Sequence, residues 1–155
     1  MKLSISSFIV AALPSATLVV AQSNDTAAIR TLVQNETQAY CAADANAWRN
    51  CWANVAEARA LSYGAMTSKV SQSVMPANAA AIIAGRKPVG VKIDTTNEQI
   101  RLNRNTAFVQ YNQHLTHDDG AGNFSYRTRY PENRSGVWKI IHVGSVSIKY
   151  VPPLK

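Results

Sequence analysis

Few residues of this chain have the type and spacing needed for acid–base or metal chemistry. It has three histidines, His114, His117 and His142. His114 and His117 fall on opposite faces of a predicted strand, and none of the three has the helical spacing of metal ligands. No serine is surrounded by the Gly-x-Ser-x-Gly pattern of a hydrolase nucleophile. The sequence therefore predicts no metal site and no cofactor.

A second group of residues has the composition of a small-molecule pocket. Many ligand sites are lined by aromatic side chains with a few polar groups. A core filled by side chains has the same composition, and the sequence leaves both interpretations open. The candidates for ligand contact are Tyr40, Trp52, Tyr63, Tyr111, Gln113 and Tyr126.

The elements that position these residues begin after a predicted secretory signal peptide, residues 1–21. Lys2 supplies a short basic region, and residues 5–20 are mostly apolar. Small and apolar residues precede position 22, so we expect cleavage after Ala21. The alternative is a membrane anchor, which Pro14 and the lack of about 20 unbroken apolar residues disfavour.

The remaining residues, 22–155, have the length of one domain, and none of their segments could span a membrane. We expect a secreted or periplasmic protein with no membrane contact after cleavage. The full chain has a formal charge of +7, with its basic residues scattered along the sequence. Nucleic-acid binders concentrate such charge in a recognisable motif, so no nucleic acid is expected as a partner.

Cys41 and Cys51 are the two cysteines of the chain. An even number of cysteines in an exported protein favours one disulfide, Cys41–Cys51. The alternative is two separately buried thiols.

The clearest strand lies near the C-terminus, at 136–150. Its residues are β-branched and aromatic, and they follow the turn signal Asn133-Arg134-Ser135-Gly136, as in the second strand of a hairpin. Both parities are apolar from Ile140 to Val143, which predicts a strand buried on both faces at the centre of a sheet. Trp138 shares its parity with Ile140 and His142, and we expect it to be buried and structural.

Helices are predicted ahead of the strands. An apolar stripe at 25–43 has spacings of three and four with Glu36 beside it, and Asp44 caps a short second helix. The sequence predicts a polar connection at residues 64–75. It predicts an alanine-rich helix at residues 76–84. Strands are predicted at 57–63, 91–102, 106–116, 123–130 and 136–150. This order indicates an α+β fold with helices on one face of an antiparallel sheet.

Four segments carry a resemblance to the SnoaL-like branch of the nuclear transport factor two-like superfamily. They are Ala28-Ile29-Arg30, residues 44–52, Asn105-Thr106-Ala107-Phe108-Val109, and Gly136-Val137-Trp138-Lys139-Ile140-Ile141-His142-Val143. The resemblance implies a cone-shaped, strongly curved antiparallel sheet packed against N-terminal helices, with a pocket inside. It also implies frequent dimerisation through the convex face of the sheet. The family includes isomerases, dehydratases, epoxide hydrolases and binding domains, so the fold does not select a function.

The resemblance also supplies catalytic candidates. Isomerase-like members need a carboxylate base and acids that hold an enolate oxygen. Tyr40 on the first helix stands where such a donor would be, and the first strand offers only Glu57, at its edge, as a carboxylate. Dehydratase-like members use tyrosine and histidine, which points to Tyr40 and His142 as donor and base. In the hydrolase-like members, arginine bridges two aspartates, but Arg127 and Arg129 lie on the face opposite Tyr126 and no such triad is found.

Three functions follow as expectations. The first is a secreted domain that binds a small, partly apolar organic ligand in an aromatic-lined pocket. The second is an isomerase- or dehydratase-type enzyme. The third is a dimeric protein-interaction module, because residues 140–143 are apolar on both faces of the strand and one of these faces could contact a partner.

Overall fold

The computed structural model describes residues 15–64, 69–74, 83 and 86–152. Within these residues, the named helices are two, and they precede six strands that form one open sheet. The helices are α1 (Ser15–Cys41) and α2 (Ala45–Asn50). The strands are β1 (Arg59–Gly64), β2 (Lys69–Val74), β3 (Val91–Asn103), β4 (Thr106–His117), β5 (Gly122–Arg134) and β6 (Val137–Val151).

Helix α1 presents one buried stripe to the sheet, on which Ile29, Val33 and Glu36 recur at spacings of four and three. It begins ahead of the predicted start at 25 and runs through position 21. Asp44 then caps α2, since its Oδ1 accepts from the backbone N–H groups of Asn46 at 3.0 Å and Ala47 at 2.9 Å. The predicted cap is confirmed.

The strand order is β2-β1-β6-β5-β4-β3. Strand β6 lies between β1 and β5, so its predicted place inside the sheet is confirmed. All neighbouring pairs are antiparallel except β1 and β6, which run parallel. The α+β class is confirmed with that one parallel pair, and the curved sheet with helices on its inner face is the expected cone.

One stretch of the sequence was interpreted wrongly. The predicted polar connection at 64–75 contains strand β2, which pairs with β1 at the edge of the sheet. Its sequence, Lys-Val-Ser-Gln-Ser-Val, has only valines at its apolar positions, so the alternation that marks a strand is weak. Apart from Ile83, which is buried, the predicted helix at 76–84 lies outside the described residues.

The core has two parts between the helices and the sheet. One part joins α2 to β6 through Trp48, Trp52 and Ile140. The other joins α1 to β4 and β6 through Ile29, Val109 and Trp138 among others. The predicted burial of Trp138 is confirmed at 7% exposure, and its indole Nε1 donates to Asp25 Oδ1 at 2.9 Å.

A β-bulge in β6 decides which side chains face inward. Tyr130 of β5 pairs with His142, whereas the next residue, Pro131, pairs with Ile140. Ile141 is therefore an extra residue, and the inward parity changes from Trp138 and Ile140 before it to Val143 after it. The prediction that His142 shares a face with Trp138 is wrong for this reason.

The hairpin between β5 and β6 has the predicted turn. Ser135 and Gly136 both have positive φ, 53° and 86°. Two successive residues of this conformation form a type I′ loop, whose twist matches that of the strands. The side chain of Asn133 accepts from the backbone N–H of Gly136 at 2.9 Å and closes the turn.

Candidate ligand pocket

A pocket of about 290 Å³ lies between the two helices and the inner face of the sheet. We call it the inner pocket. The side chains that line it come from α1, α2, β1, β4, β5 and β6. They are Glu36, Thr37, Tyr40, Cys41, Trp48, Trp52, Ala60, Leu61, Ser62, Gln113, Leu115, Arg127, Arg129, Val143 and Ser145.

Aromatic rings form the helix side of the inner pocket. Tyr40 lies on the last turns of α1, and its ring centroid is 5.5 Å from that of Trp48 on α2. Trp48 meets Trp52 edge to face at 5.8 Å. Both tryptophans are buried, and Trp52 bridges to Ile140 of β6, which fixes the end of α2 against the sheet. These contacts give the pocket a rigid, apolar wall.

A buried ion pair connects α1 to β5 across the inner pocket. Arg129 donates from Nε at 3.1 Å and from Nη2 at 2.8 Å to Oε2 of Glu36. The other carboxylate oxygen, Oε1, accepts from Trp48 Nε1 at 2.9 Å. The side chains of Arg129 and Glu36 are only 3% and 5% exposed. Burial alone would lower the pKa of Arg129, but the charge of Glu36, with that of Tyr111 and the hydrogen bond, raises it.

Arg127 lies beside this pair but has no carboxylate of its own. Its Nε donates to the hydroxyl of Ser125 at 3.0 Å. All nine Asp and Glu residues of the chain are among the described residues, and none of their carboxylates forms an ion pair with Arg127. Burial, followed by the positive charge of Arg129, lowers the pKa of Arg127.

At the helix end of the inner pocket, Arg86 contacts Tyr40. Its Nη1 donates to the tyrosine hydroxyl at 2.9 Å, and its guanidinium carbon lies 4.2 Å from the ring centroid. Arg86 is exposed, so this contact places a third positive charge beside the pocket, on its solvent side.

The predicted disulfide is absent, because Cys41 and Cys51 are both free thiols. Cys41 lines the inner pocket, whereas Cys51 lines a separate groove and its Sγ lies 3.4 Å from the carbonyl oxygen of Ala47. Burial, followed by the charge of Glu36, raises the pKa of Cys51 to about 11. Burial also raises the pKa of Cys41, against the charges of Arg127 and Arg86. The structure therefore agrees with the alternative prediction, in which Cys41 and Cys51 are two separate thiols.

Of the six predicted contact residues, Tyr40, Trp52 and Gln113 line the inner pocket. Tyr111 is buried next to it and lines a neighbouring pocket between α1 and β3, with its ring centroid 5.7 Å from the guanidinium carbon of Arg129. Tyr111 and Gln113 share the inward face of β4, as their parity predicts.

Tyr63 and Tyr126 lie on the opposite, outer face of the sheet. They pair with the same residue of β6, Val146, from its two sides. The hydroxyl of Tyr126 donates to Gln110 Oε1 at 2.8 Å. The predicted alternation on β5 is correct, but its arginines face inward and its tyrosines outward, because Glu36 supplies an acceptor inside the fold.

The structure does not bring the candidate catalytic pair together. Tyr40 lines the inner pocket, whereas His142 stacks edge to face against Tyr130 on the outer face, with ring centroids 5.6 Å apart. Tyr130 is 43% exposed, which identifies that face as the one turned to solvent. The two side chains cannot reach one substrate.

Glu36, Arg127, Arg129, Trp48 and Ser145 are pocket residues that the sequence reasoning missed. Glu36 lies within the apolar stripe of α1, a position where a carboxylate is buried only with a partner. The signal for the arginines is cross-strand pairing, since Arg127 pairs with Tyr111 and Arg129 with Val109, both on the inward face of β4. Among the described residues, no cluster of His, Cys, Asp or Glu could hold a metal ion. The helices that the structure describes include none long and apolar enough to cross a membrane.

Comparison with solved structures identifies the fold. An NTF2-like protein from Novosphingobium aromaticivorans is 15% identical, with a TM-score of 0.68 over 89% of this chain and 93% of that one. A type 2 hexachlorocyclohexane dehydrochlorinase is 14% identical, with a TM-score of 0.65 over 88% and 93%. An NTF2-like protein from Shewanella baltica is 14% identical, with a TM-score of 0.61 over 84% and 96%. No protein-family model and no curated protein matches the chain.

Proposed function

We propose that this chain, which has the fold of nuclear transport factor two-like proteins, binds a small, partly apolar organic molecule in the inner pocket. The observation that carries the proposal is the pocket itself, which combines an aromatic wall with polar and charged side chains. Its volume of about 290 Å³ lies just below the range for drug-sized ligand sites, roughly 300–1,000 Å³, and so favours a small ligand. We also propose that the chain is exported after cleavage following Ala21 and that it belongs to the SnoaL-like branch.

Catalysis is not part of the proposal. A general base has to lie within hydrogen-bond reach of the proton that it removes. Both oxygens of Glu36, the only carboxylate that lines the inner pocket, are already bound to Arg129 and Trp48. With His142 on the outer face, the described residues that line the pocket include no imidazole, and their one carboxylate is engaged by Arg129 and Trp48.

Filling the inner pocket tests the proposal. Ser145 lines the pocket and the next residue, Val146, faces outward, so Ser145→Phe and Val146→Phe are matched variants on one strand. Purified protein is titrated with a panel of apolar and aromatic metabolites while the fluorescence of Trp48 and Trp52 is followed. We expect Ser145→Phe to lose binding and Val146→Phe to keep it, with both variants folded by thermal melting. Unchanged binding by a folded Ser145→Phe protein would contradict the proposal.

A second candidate function is self-association through the outer face. Tyr63, Val146 and Tyr126 form a row across β1, β6 and β5, and they are 38%, 42% and 37% exposed. Ile148 on the same strand is 60% exposed. Contiguous exposed apolar surface of this kind is typical of protein contacts, which supports a homodimer.

A further inference from the structure

We infer that the ligand of the inner pocket carries a carboxylate that pairs with Arg127, so that the pocket selects small apolar carboxylic acids over neutral molecules of the same shape. The inference rests on the proposed function, because it names the chemical class of the ligand for the same pocket.

The charges that line the inner pocket do not balance. Arg127 and Arg129 are both lining residues, and Glu36 is the only acidic one. Glu36 accepts from Arg129 and Trp48 through its two oxygens, and neither oxygen bonds to Arg127. Among the described residues, the side chain of Arg127 donates a hydrogen bond only to the neutral hydroxyl of Ser125. Arg127 is partly buried, and a guanidinium partly removed from water without a bonded anion is unfavourable, so a bound anion would relieve that cost.

Hydrogen-bond donors in the lining point to the same ligand chemistry. Trp52 Nε1 and Thr37 Oγ1 are buried and have no hydrogen-bond partner among the described residues. The indole N–H can only donate, so it needs an acceptor. Both residues line the inner pocket together with Arg127, whose remaining N–H groups also need acceptors. The pocket therefore has donors in excess, and a ligand rich in acceptors satisfies them.

A carboxylate has the geometry that this set of donors requires. Its two oxygens lie in one plane and match the planar fork of an arginine side chain. The aromatic wall of Trp48 and Trp52 and the aliphatic side chains of Leu115 and Val143 would hold the apolar body of the same molecule. Burial, followed by the charge of Arg129, lowers the pKa of Arg127, and the pairing of a carboxylate with its guanidinium would act in the opposite direction.

The test compares acids with their amides, which have nearly the same shape and no charge. The probes are benzoate and benzamide, 4-phenylbutyrate and 4-phenylbutanamide, and octanoate and octanamide, titrated calorimetrically into the full chain. We expect at least one acid to bind more tightly than its amide by roughly ten-fold to 100-fold, the range of a hydrogen bond to a charged group. This comparison needs no variant.

Variants then assign the preference to Arg127. Arg127→Gln should bind acid and amide equally, whereas Arg127→Lys should keep part of the preference because it keeps the charge. Arg101→Gln, at an exposed position of β3, removes the same charge away from the pocket and should leave the preference unchanged. Without ligand, Arg127→Gln should melt at a higher temperature than the native chain, because a partly buried charge without an ion-pair partner is removed.

The outcomes separate the inference from the proposed function. If the native chain binds acids and amides equally, or if Arg127→Gln keeps the preference for acids, the carboxylate inference is overturned while the ligand pocket stands. If no member of any pair binds to the folded native chain, both are overturned.

Discussion

Glu36 holds two walls of the inner pocket at once. Through Arg129 it fixes strand β5, and through Trp48 it fixes helix α2. Each oxygen of its carboxylate serves one of these contacts. Removing that negative charge would therefore disturb both walls, and it would leave Arg129 buried without a counter-charge.

Glu36→Gln is expected to destabilise the chain by about 3–5 kcal/mol, the usual cost of breaking a buried ion pair on one side. Glu98→Gln is the matched control, because Glu98 pairs with Arg30 near the surface at 2.6 Å, where such pairs contribute only about 0–1 kcal/mol. Urea unfolding of the two variants measures the difference. Equal losses of stability would show that burial of the Glu36–Arg129 pair has no energetic consequence.

Cys51 makes the stability of the chain depend on alkaline pH. The pKa of this thiol is raised from an ordinary value of 9.0 to about 11, so the folded chain keeps the proton over that range. The unfolded state binds fewer protons between these values, so the contribution of Cys51 is present below pH 9 and is lost as pH rises through about 11.

The measurement is urea unfolding at a series of pH values from 8 upward, with Cys51→Ala as the comparison. We expect the native chain to lose stability above pH 9 more steeply than the variant, in which the ionisation is missing. Parallel profiles would contradict a buried, protonated thiol. Mass analysis without reductant should find both thiols free, and a mass lower by two hydrogens would restore the predicted disulfide.

At the scale of elements, strand β6 shows what periodicity predicts and what it misses. The alternation correctly placed Trp138 and Ile140 inside, because it is a local property of the chain. It placed His142 wrongly, because the bulge at Ile141 arises from pairing with β5, which a single strand's sequence does not contain. The same limit explains why the arginines of β5 could be predicted to share one face but not to face inward.

Trp138→Ala should cost about 3–5 kcal/mol, the usual range for an aromatic side chain lost from a core. Trp138 is buried between α1 and β4, and its indole also loses the bond to Asp25. Val137→Ala is the control, since Val137 is 53% exposed on the same strand and should change stability by less than about 0.5 kcal/mol. Thermal melting compares the two. An unchanged melting temperature together with lost ligand binding would move Trp138 from the core to the ligand site.

For the whole molecule, the order of helices and hairpins was sufficient to predict the α+β class, and the family resemblance added the cone. The proposed ligand chemistry could not be predicted from the sequence, because it depends on which carboxylate pairs with which arginine. The partners Glu36 and Arg129 are 93 positions apart, and no local pattern connects them. The parallel pairing of β1 with β6 was missed for the same reason.

The proposed homodimer gives a prediction at this scale. Val146→Glu introduces a charge at the centre of the exposed row on the outer face, and it should convert a dimer to a monomer because the charge would be buried between two copies. Val137→Glu adds the same charge at the exposed hairpin end, away from that row, and should leave the dimer intact. Sedimentation velocity at several concentrations distinguishes the two states. If the native chain remains monomeric at high concentration, the proposal of a homodimer is contradicted.

The parallel pairing of β1 with β6 has a consequence for the order of folding. Strands β3, β4 and β5 each pair with the next strand in the chain, so their hairpins close short loops. Strand β1 pairs with β6, and Glu36 of α1 pairs with Arg129 of β5. Both contacts join residues that are far apart in the sequence, so they form only after distant parts of the chain have come together. Since long loops are closed at a greater entropic cost, local hairpins are expected to form first. The inner pocket is then the last part to assemble, and a chain that ends before β6 would form hairpins without acquiring a place for a ligand.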